Sequence, residues 1–242
     1  HSESPAPISA MLSGALLNTS MLGIARFLRV IHGTSIDQFA HSAVVALGIF
    51  SFVVAALFIV RQTGIKRLMA YSSVEHIGVI ALGLGFGGVL GIAGSLYHML
   101  NHSLNKSLMF FGSGNAMRAY GTKEISGIRR VLKVFPVSGT LWILGALGIA
   151  GAPPFALFLS EFTILRAGIG GRYRWAALTF VIFLVVVFIG FLAHFRAMYF
   201  DEAPDQEHYP LPWPVWRTLP MWLAFIPLLV LGLWWPHGLW SI

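Results

Sequence analysis

Cysteine is absent from the 242 residues of this chain, and ionised side chains are scarce: 16 Lys+Arg and 9 Asp+Glu make up 10% of the total. Without cysteine there is no disulfide, no thiolate metal site and no cysteine nucleophile. A soluble domain carries about 25% charged residues. This chain therefore lacks the polar side chains needed to cover a core of the size its length permits. Apolar residues take their place, at 57% hydrophobic with a mean hydropathy of +0.77. A soluble enzyme, a nucleic-acid-binding domain and a disordered linker are all excluded. The net charge of +7 does not restore nucleic acid as a partner, because the basic residues fall between apolar runs and form no basic face. The composition is that of an integral membrane protein.

A membrane-spanning helix needs about 20 mostly apolar residues. Uncharged runs of that scale occur at 8–25, 42–60, 175–193 and 218–235, and three further apolar segments, 68–88, 89–117 and 137–165, contain polar residues. The pattern predicts an all-α, polytopic fold with about seven transmembrane helices, near 8–31, 41–60, 67–86, 89–117, 137–167, 175–199 and 217–236. They form a single bundle over residues 1–242, with an acidic, proline-rich loop at 200–216. No run alternates as barrel strands do. Arg61, Lys66, Arg67, Arg118, Lys123, Arg129, Arg130 and Lys133 sort to one side, and Arg26, Arg29, Arg166, Arg172 and Arg174 to the other. Positive-inside places the first set in the cytoplasm. Six of the eight Trp follow residue 210, as an interfacial belt around the last helix would. Residues 1–7 have no initiator Met and no signal-peptide pattern, so the chain reads as a fragment, a processed product or one part of a split polypeptide.

Ionisable residues at bilayer depth are costly and mark function. His98, His102 and Lys106 recur every four residues, which keeps them on one helical stripe at steps of about 6 Å along the axis. Histidine titrates near neutrality, and a lysine drawn out of water also becomes a proton exchanger, so the stripe reads as a proton relay. Two histidines at this spacing are also half a zinc site, but no third ligand is visible. Histidines and asparagines can equally serve as interhelical glue. A second site is the run from Gly151 to Glu161. Pro153 and Pro154 remove two backbone donors and break the helix, and Glu161 follows about two turns on. A broken helix beside a buried carboxylate is the arrangement of transporter ion sites. Glu75-His76 is a third intramembrane candidate, of which adjacent-residue geometry lets one side chain face a given path. Lys66 and its basic neighbours read as headgroup anchors, and His194 and Arg196 as interfacial ones. Gly83, Gly85, Gly87 and Gly88 read as a turn, and Asn18 as interhelical glue.

Ile65-Lys66-Arg67-Leu68-Met69-Ala70-Tyr71-Ser72-Ser73, then His98, His102 and Lys106, then Gly151-Ala152-Pro153-Pro154 with Ser160-Glu161, stand in the order and spacing of one family. The chain resembles the antiporter-like membrane subunits of respiratory complex I, membrane-bound hydrogenases and multisubunit sodium/proton antiporters. Ser73-Val74-Glu75-His76-Ile77-Gly78 looks most like the hydrogenase-4 component F branch, near formate hydrogenlyase. The resemblance implies a fold of about fourteen helices with two inverted five-helix repeats, of which this chain carries the second plus one helix on either side. It implies that Pro153-Pro154 is the broken helix of that repeat, that Glu161 is its key ionisable residue, and that His98, His102 and Lys106 form the central hydrophilic axis. Many relatives have a lysine where this chain reads Leu16-Leu17-Asn18, so that relay step is absent or passes beside Asn18.

The leading expectation is a proton-translocating membrane subunit of an energy-converting oxidoreductase, with Glu161, Lys106, His102, His98 and Glu75 as the relay. Moving one charge against 100 mV takes about 2.3 kcal/mol, which partner subunits must supply by redox chemistry. No catalytic chemistry, metal or cofactor is expected in this chain, since it has no Cys and no nucleotide fingerprint. Expected partners are other membrane subunits, a soluble redox arm, the N-terminal half of the same subunit and the bilayer, with no nucleic acid. The expected location is the cytoplasmic membrane of a bacterium or archaeon, ahead of an organellar inner membrane. Other readings of the same residues are a passive anchor, a subunit of a multisubunit Na⁺/H⁺ antiporter, and an intramembrane hydrolase that uses the histidine pair with a metal.

Overall fold

A run of 14 or more apolar residues without water to bond its backbone must satisfy its own N–H and C=O groups, and the helix does so within one segment. The computed structural model describes residues 3–201 and 215–234. Their elements are α1 (Ala6–Met11), a π-helical turn (Leu12–Leu16) and α2 (Leu17–Ile31), continuous over Ala6–Ile31; α3 (Asp37–Val60); α4 (Ile65–Phe86); and α5 (Gly88–Tyr120). After these come a 3-10 turn (Ile125–Gly127), α6 (Val131–Val134), α7 (Pro136–Ile149), α8 (Ala156–Gly170), α9 (Arg174–Phe200) and α10 (Val215–Leu233). Among the described residues the only β pairing is an isolated bridge between Gly64 and Glu124. The protein is an all-helical membrane protein.

Five helices, Ala6–Ile31, α3, α4, α9 and α10, are long and apolar enough to cross a bilayer. The 33 residues of α5 reach about 50 Å at 1.5 Å per residue. Its polar stripe is what separates it from those five. The remaining crossing is divided between α7 and α8. Of the most apolar window of α4, 78% is buried, against 33% for α3 and α9. α4 is therefore central, and α3 and α9 offer apolar flanks to lipid. α5 packs against α1, α4, α7, α8 and α10. The two central helices, α4 and α5, carry the polar residues.

Gly87 and Gly88, at φ of +67° and +65°, make the sharp link between α4 and α5. Gly83 and Gly85 do not belong to this turn. They lie inside α4, where an added Cβ would strike the Ser95 hydroxyl and Val45 respectively, so they serve close packing. The acidic loop expected at 200–216 falls largely outside the described residues, as do residues 235–236 of the last expected helix and Trp213, Trp235 and Trp240. Asp201 is described, and it pairs with Arg196 at 3.4 Å.

The two sets of basic loops lie at opposite ends of the bundle. At one end Lys123 Nζ meets Glu3 Oε2 at 2.8 Å, and Ile65 N–H donates to Lys123 O at 3.0 Å. Lys66 donates to the Ser4 carbonyl and is buried, so it pins the first segment instead of reaching for headgroups. At the other end the Ser42 and Tyr173 hydroxyls share a hydrogen bond of 2.9 Å, beside Arg172 and Arg174. The 24 residues of α3, about 36 Å long, separate the two ends.

Candidate functional site

The site begins at the break between α7 and α8. Ala152 N–H turns back to Leu147 O at 3.0 Å and Gly151 N–H to Gly148 O at 3.1 Å, which satisfies carbonyls that the break would orphan. Asn101 Nδ2 and Asn105 Nδ2, both on α5, donate to Ala156 O (3.3 Å) and Gly145 O (3.1 Å) on either side of the break. Gly232 of α10 lies against the Pro154 carbonyl so closely that a Cβ there would overlap it. Gly151, at φ +73°, lets the Glu161 carboxylate fold back onto the break, since a Cβ at 151 would overlap Glu161 Oε2. Glu161 is 3% exposed, and its Oε1 has no hydrogen-bond partner among the described residues.

One turn or less from that carboxylate, Ser160 Oγ bonds His98 Nδ1 at 2.8 Å. His98 Nε2 bonds His76 Nδ1 at 3.0 Å. The His76 ring lies 5.2 Å from the His102 ring between centroids, and Glu75 Oε2 lies 3.5 Å from His76 Nε2. Lys106 is fully buried and donates to Met69 O at 3.0 Å and Ser72 Oγ at 2.5 Å, both on α4. Neither ring nitrogen of His102 has a partner among the described residues. Buried polar groups are normally satisfied, and those left open cluster where protons or water are handled.

Each sequence-predicted residue is thus accounted for. Glu161, Lys106, His102, His98 and Glu75 are all buried in the interior where α4, α5 and α8 meet, and Pro153-Pro154 sits at the break beside them. The α5 stripe is not a straight row, however. His98 and His102 stand 6.5 Å apart, and His76 from α4 lies between them. Glu75 and His76 are both buried, because α4 is enclosed on most of its circumference and its successive faces both point into protein. The fold joins His76, a candidate beside Glu75, to the α5 stripe, and Ser160 and Ser72 hydrogen-bond His98 and Lys106, contacts that spacing along one helix did not show. The signal for His76 was the polar content of α4 on several faces at once.

The fold also supplies the third metal ligand that sequence spacing lacked: donor atoms of His76, His98 and Glu161 lie within 4.8 Å of one another. His98, though, has both ring nitrogens in hydrogen bonds, to His76 and to Ser160. That pattern suits proton transfer, since one ring nitrogen can accept while the other donates. Asn18 is glue as expected: its amide nitrogen, with two hydrogens to give, lies within hydrogen-bond distance of Gly14 O (2.9 Å), Met99 O (2.7 Å) and Ser103 Oγ (2.7 Å). His194 Nε2 donates to Ile59 O at 2.8 Å and ties α9 to the end of α3. Outside the membrane, the Lys123 ammonium bonded to Glu3 holds that carboxyl below its usual range.

Residues 1–190 match the transmembrane family described as NADH:quinone oxidoreductase/Mrp antiporter. A hydrogenase-4 component F homolog of Methylacidiphilum infernorum is 40% identical over 167 residues, covering 69% of this chain and 35% of the relative. An NADH-quinone oxidoreductase subunit N of Xanthomonas euvesicatoria is 30% identical over 243 residues, covering 96% and 47%. Among solved structures, a chain of the membrane-bound sulfane sulfur reductase, an archaeal respiratory membrane complex, superposes with a TM-score of 0.90 at 25% identity, covering 99% of this chain and 48% of that one. The chain spans about a third to a half of the length of these relatives.

Proposed function

The chain belongs to the NADH:quinone oxidoreductase/Mrp antiporter transmembrane family, and on that premise we propose that it translocates protons as the membrane part of an energy-converting oxidoreductase complex. The observation that carries this is the buried run of titratable groups from Glu161 through His98, His76 and His102 to Lys106, with Glu75 alongside, built against a broken helix. Structural packing accounts for one such group, since each costs several kcal/mol to bury unless compensated. It gives no reason for six gathered in the buried interior where α4, α5 and α8 meet.

In this reading Glu161 loads or releases a proton at the helix break. His98 passes it between Ser160 and His76, because a histidine can accept at one ring nitrogen and donate from the other. His102 and Lys106 continue the path along α5. The driving energy comes from redox chemistry in a soluble arm, and the N-terminal half of the same kind of subunit completes the pathway. The location is the cytoplasmic membrane of a bacterium or archaeon. Nothing in the proton path requires a cofactor in this chain.

Glu161→Gln tests it. Glutamine keeps the shape and removes the exchangeable charge, so proton translocation by the intact complex falls severalfold, with electron transfer in the partner subunits less affected. An unchanged proton-to-electron ratio overturns the assignment. A passive anchor is the competing reading, favoured by Asn18, which is tied up in structural bonds and cannot titrate. Substituting His98 and His102 together decides between them: a normal membrane potential from the intact complex selects the anchor.

A further inference from the structure

Of the titratable side chains gathered in the interior, three are arranged in a way that proton transfer alone does not call for. Ser160 Oγ gives its one proton to Leu157 O at 2.8 Å, so it accepts from His98 Nδ1 at 2.8 Å. That bond assigns the tautomer of His98. Its proton is on Nδ1, and the lone pair of Nε2 faces His76 Nδ1 at 3.0 Å. His76 supplies the proton of that second bond, and its far nitrogen, Nε2, has no hydrogen-bond partner among the described residues. Glu75 Oε2 lies 3.5 Å from that far nitrogen. Each ring is therefore backed on its outer side, one by Ser160 and the other by Glu75, with the inner nitrogens turned toward each other.

Glu161 completes the group. Donor atoms of His76, His98 and Glu161 all lie within 4.8 Å of one another, and Glu161 Oε1 is buried without a partner among the described residues. We propose that His76 Nδ1, His98 Nε2 and the Glu161 carboxylate bind a Zn²⁺ ion, and that the bound ion blocks the proton relay. The blocking half of the proposal rests on the relay reading above. Two imidazoles and one carboxylate are a donor set that zinc takes, with one tetrahedral position left for water. Bonds of about 2.0 Å put tetrahedral ligands about 3.3 Å apart. The two inner nitrogens already stand at 3.0 Å. Bringing in the carboxylate from within 4.8 Å takes a shift of about 1.5 Å at most, a change of side-chain torsion.

The outer contacts are those that metal-bound histidines use. A ligating imidazole ordinarily donates its other N–H to a carboxylate or another oxygen, which fixes the ring. His98 already does so to Ser160. His76 does so once its proton moves from Nδ1 to Nε2, opposite Glu75, so neither neutral ring has to lose a proton. Any proton on Glu161 leaves as the ion binds. A buried cation is costly unless paired, and the carboxylates of Glu161 and Glu75 offset the two charges of the ion. Hydrogen bonding between helices accounts for the His76–His98 contact by itself. It does not account for an unbonded carboxylate oxygen in the same buried group. With both inner lone pairs on the metal, the 3.0 Å step between His98 and His76 is closed to protons.

The test titrates Zn²⁺ into the intact purified complex by calorimetry, and follows the proton-to-electron ratio in native vesicles before zinc, with zinc, and after a chelator. Wild type is compared with His76→Gln, Glu161→Gln, Ser160→Ala and His32→Gln, and the amount of each assembled complex is measured. Wild type is expected to bind one more zinc than His76→Gln or Glu161→Gln. Zinc lowers its proton-to-electron ratio severalfold, and the chelator restores it. Ser160→Ala, which reaches the ion only through His98, binds about 10–100-fold more weakly. His32→Gln takes a histidine from the exposed group of His32, Asp37 and His41, the competing place for zinc, and behaves as wild type. Equal binding in the assembled His76→Gln and Glu161→Gln complexes, or loss in His32→Gln alone, overturns the site and leaves the relay standing, since the relay needs no metal. A wild-type ratio unmoved by zinc overturns the proposed block whatever the variants do. Full proton translocation in metal-free Glu161→Gln overturns the relay, and with it the block, independently of the binding result.

Discussion

His76 shows how much one side chain can decide. Its ring stands 5.1 Å from the His98 ring and 5.2 Å from the His102 ring, closer to each than they are to one another. A proton leaving His98 Nε2 reaches His76 Nδ1 over 3.0 Å, whereas the direct step along α5 is longer. His76→Gln is therefore expected to keep a donor near His98 and stop the exchange, lowering proton translocation by about 100-fold or more, the contribution typical of one positioned proton-transfer group. Stability should fall by only about 1 kcal/mol, the net worth of a hydrogen bond. Proton-to-electron stoichiometry and thermal stability of the complex measure the two separately. Unaltered stoichiometry would mean that the relay bypasses α4. Burial of Glu161, Lys106, His98, His102 and Glu75 was legible in the sequence, because the cost of a charge in an apolar segment flags each one singly. His76 was legible only as a candidate beside Glu75; its place between His98 and His102 was not, since that depends on how α4 packs against α5 in the bundle.

At the scale of the element, Pro153-Pro154 announced a broken helix without help from any other residue. What the sequence did not disclose was how the break is tolerated. The donors come from Asn101 and Asn105 on α5, and close cover comes from Gly232 on α10, all distant along the chain. The same applies to Gly151, whose spacing from Glu161 says nothing about contact until α8 folds back. Gly151→Ala is expected to cost about 1–3 kcal/mol from the left-handed backbone alone. The added methyl also displaces the Glu161 carboxylate. Both effects are read by the melting temperature of the assembled complex together with its proton translocation. A variant that melts lower but translocates normally would show that the carboxylate need not touch the break. The glycines of α4 carry the complementary lesson. Gly83 and Gly85 looked like turn residues beside Gly87 and Gly88, yet close approach of Ser95 and Val45 demands a missing Cβ just as firmly as a positive φ does.

For the whole molecule, the sorting of basic loops into two sets corresponds to two physical ends, joined at one by the Glu3–Lys123 pair and at the other by Ser42 and Tyr173. Alternating loops in a helical bundle must lie on alternate sides, so this part of the topology followed from counting spans. Which end is cytoplasmic rests on eight basic residues against five, a charge argument that folding alone does not decide. The lack of cysteine provides the means to decide it, since any introduced thiol is the sole target in the chain. Ser126 and Ser35 are both exposed, the first in the 3-10 turn at the Lys123 end and the second in the link between α2 and α3 at the other. A membrane-impermeant maleimide is expected to label Ser126→Cys only in inverted vesicles and Ser35→Cys only in intact spheroplasts. Labelling of both from one side contradicts the two-ended bundle. Labelling from opposite sides in the reverse sense keeps the bundle and inverts its orientation.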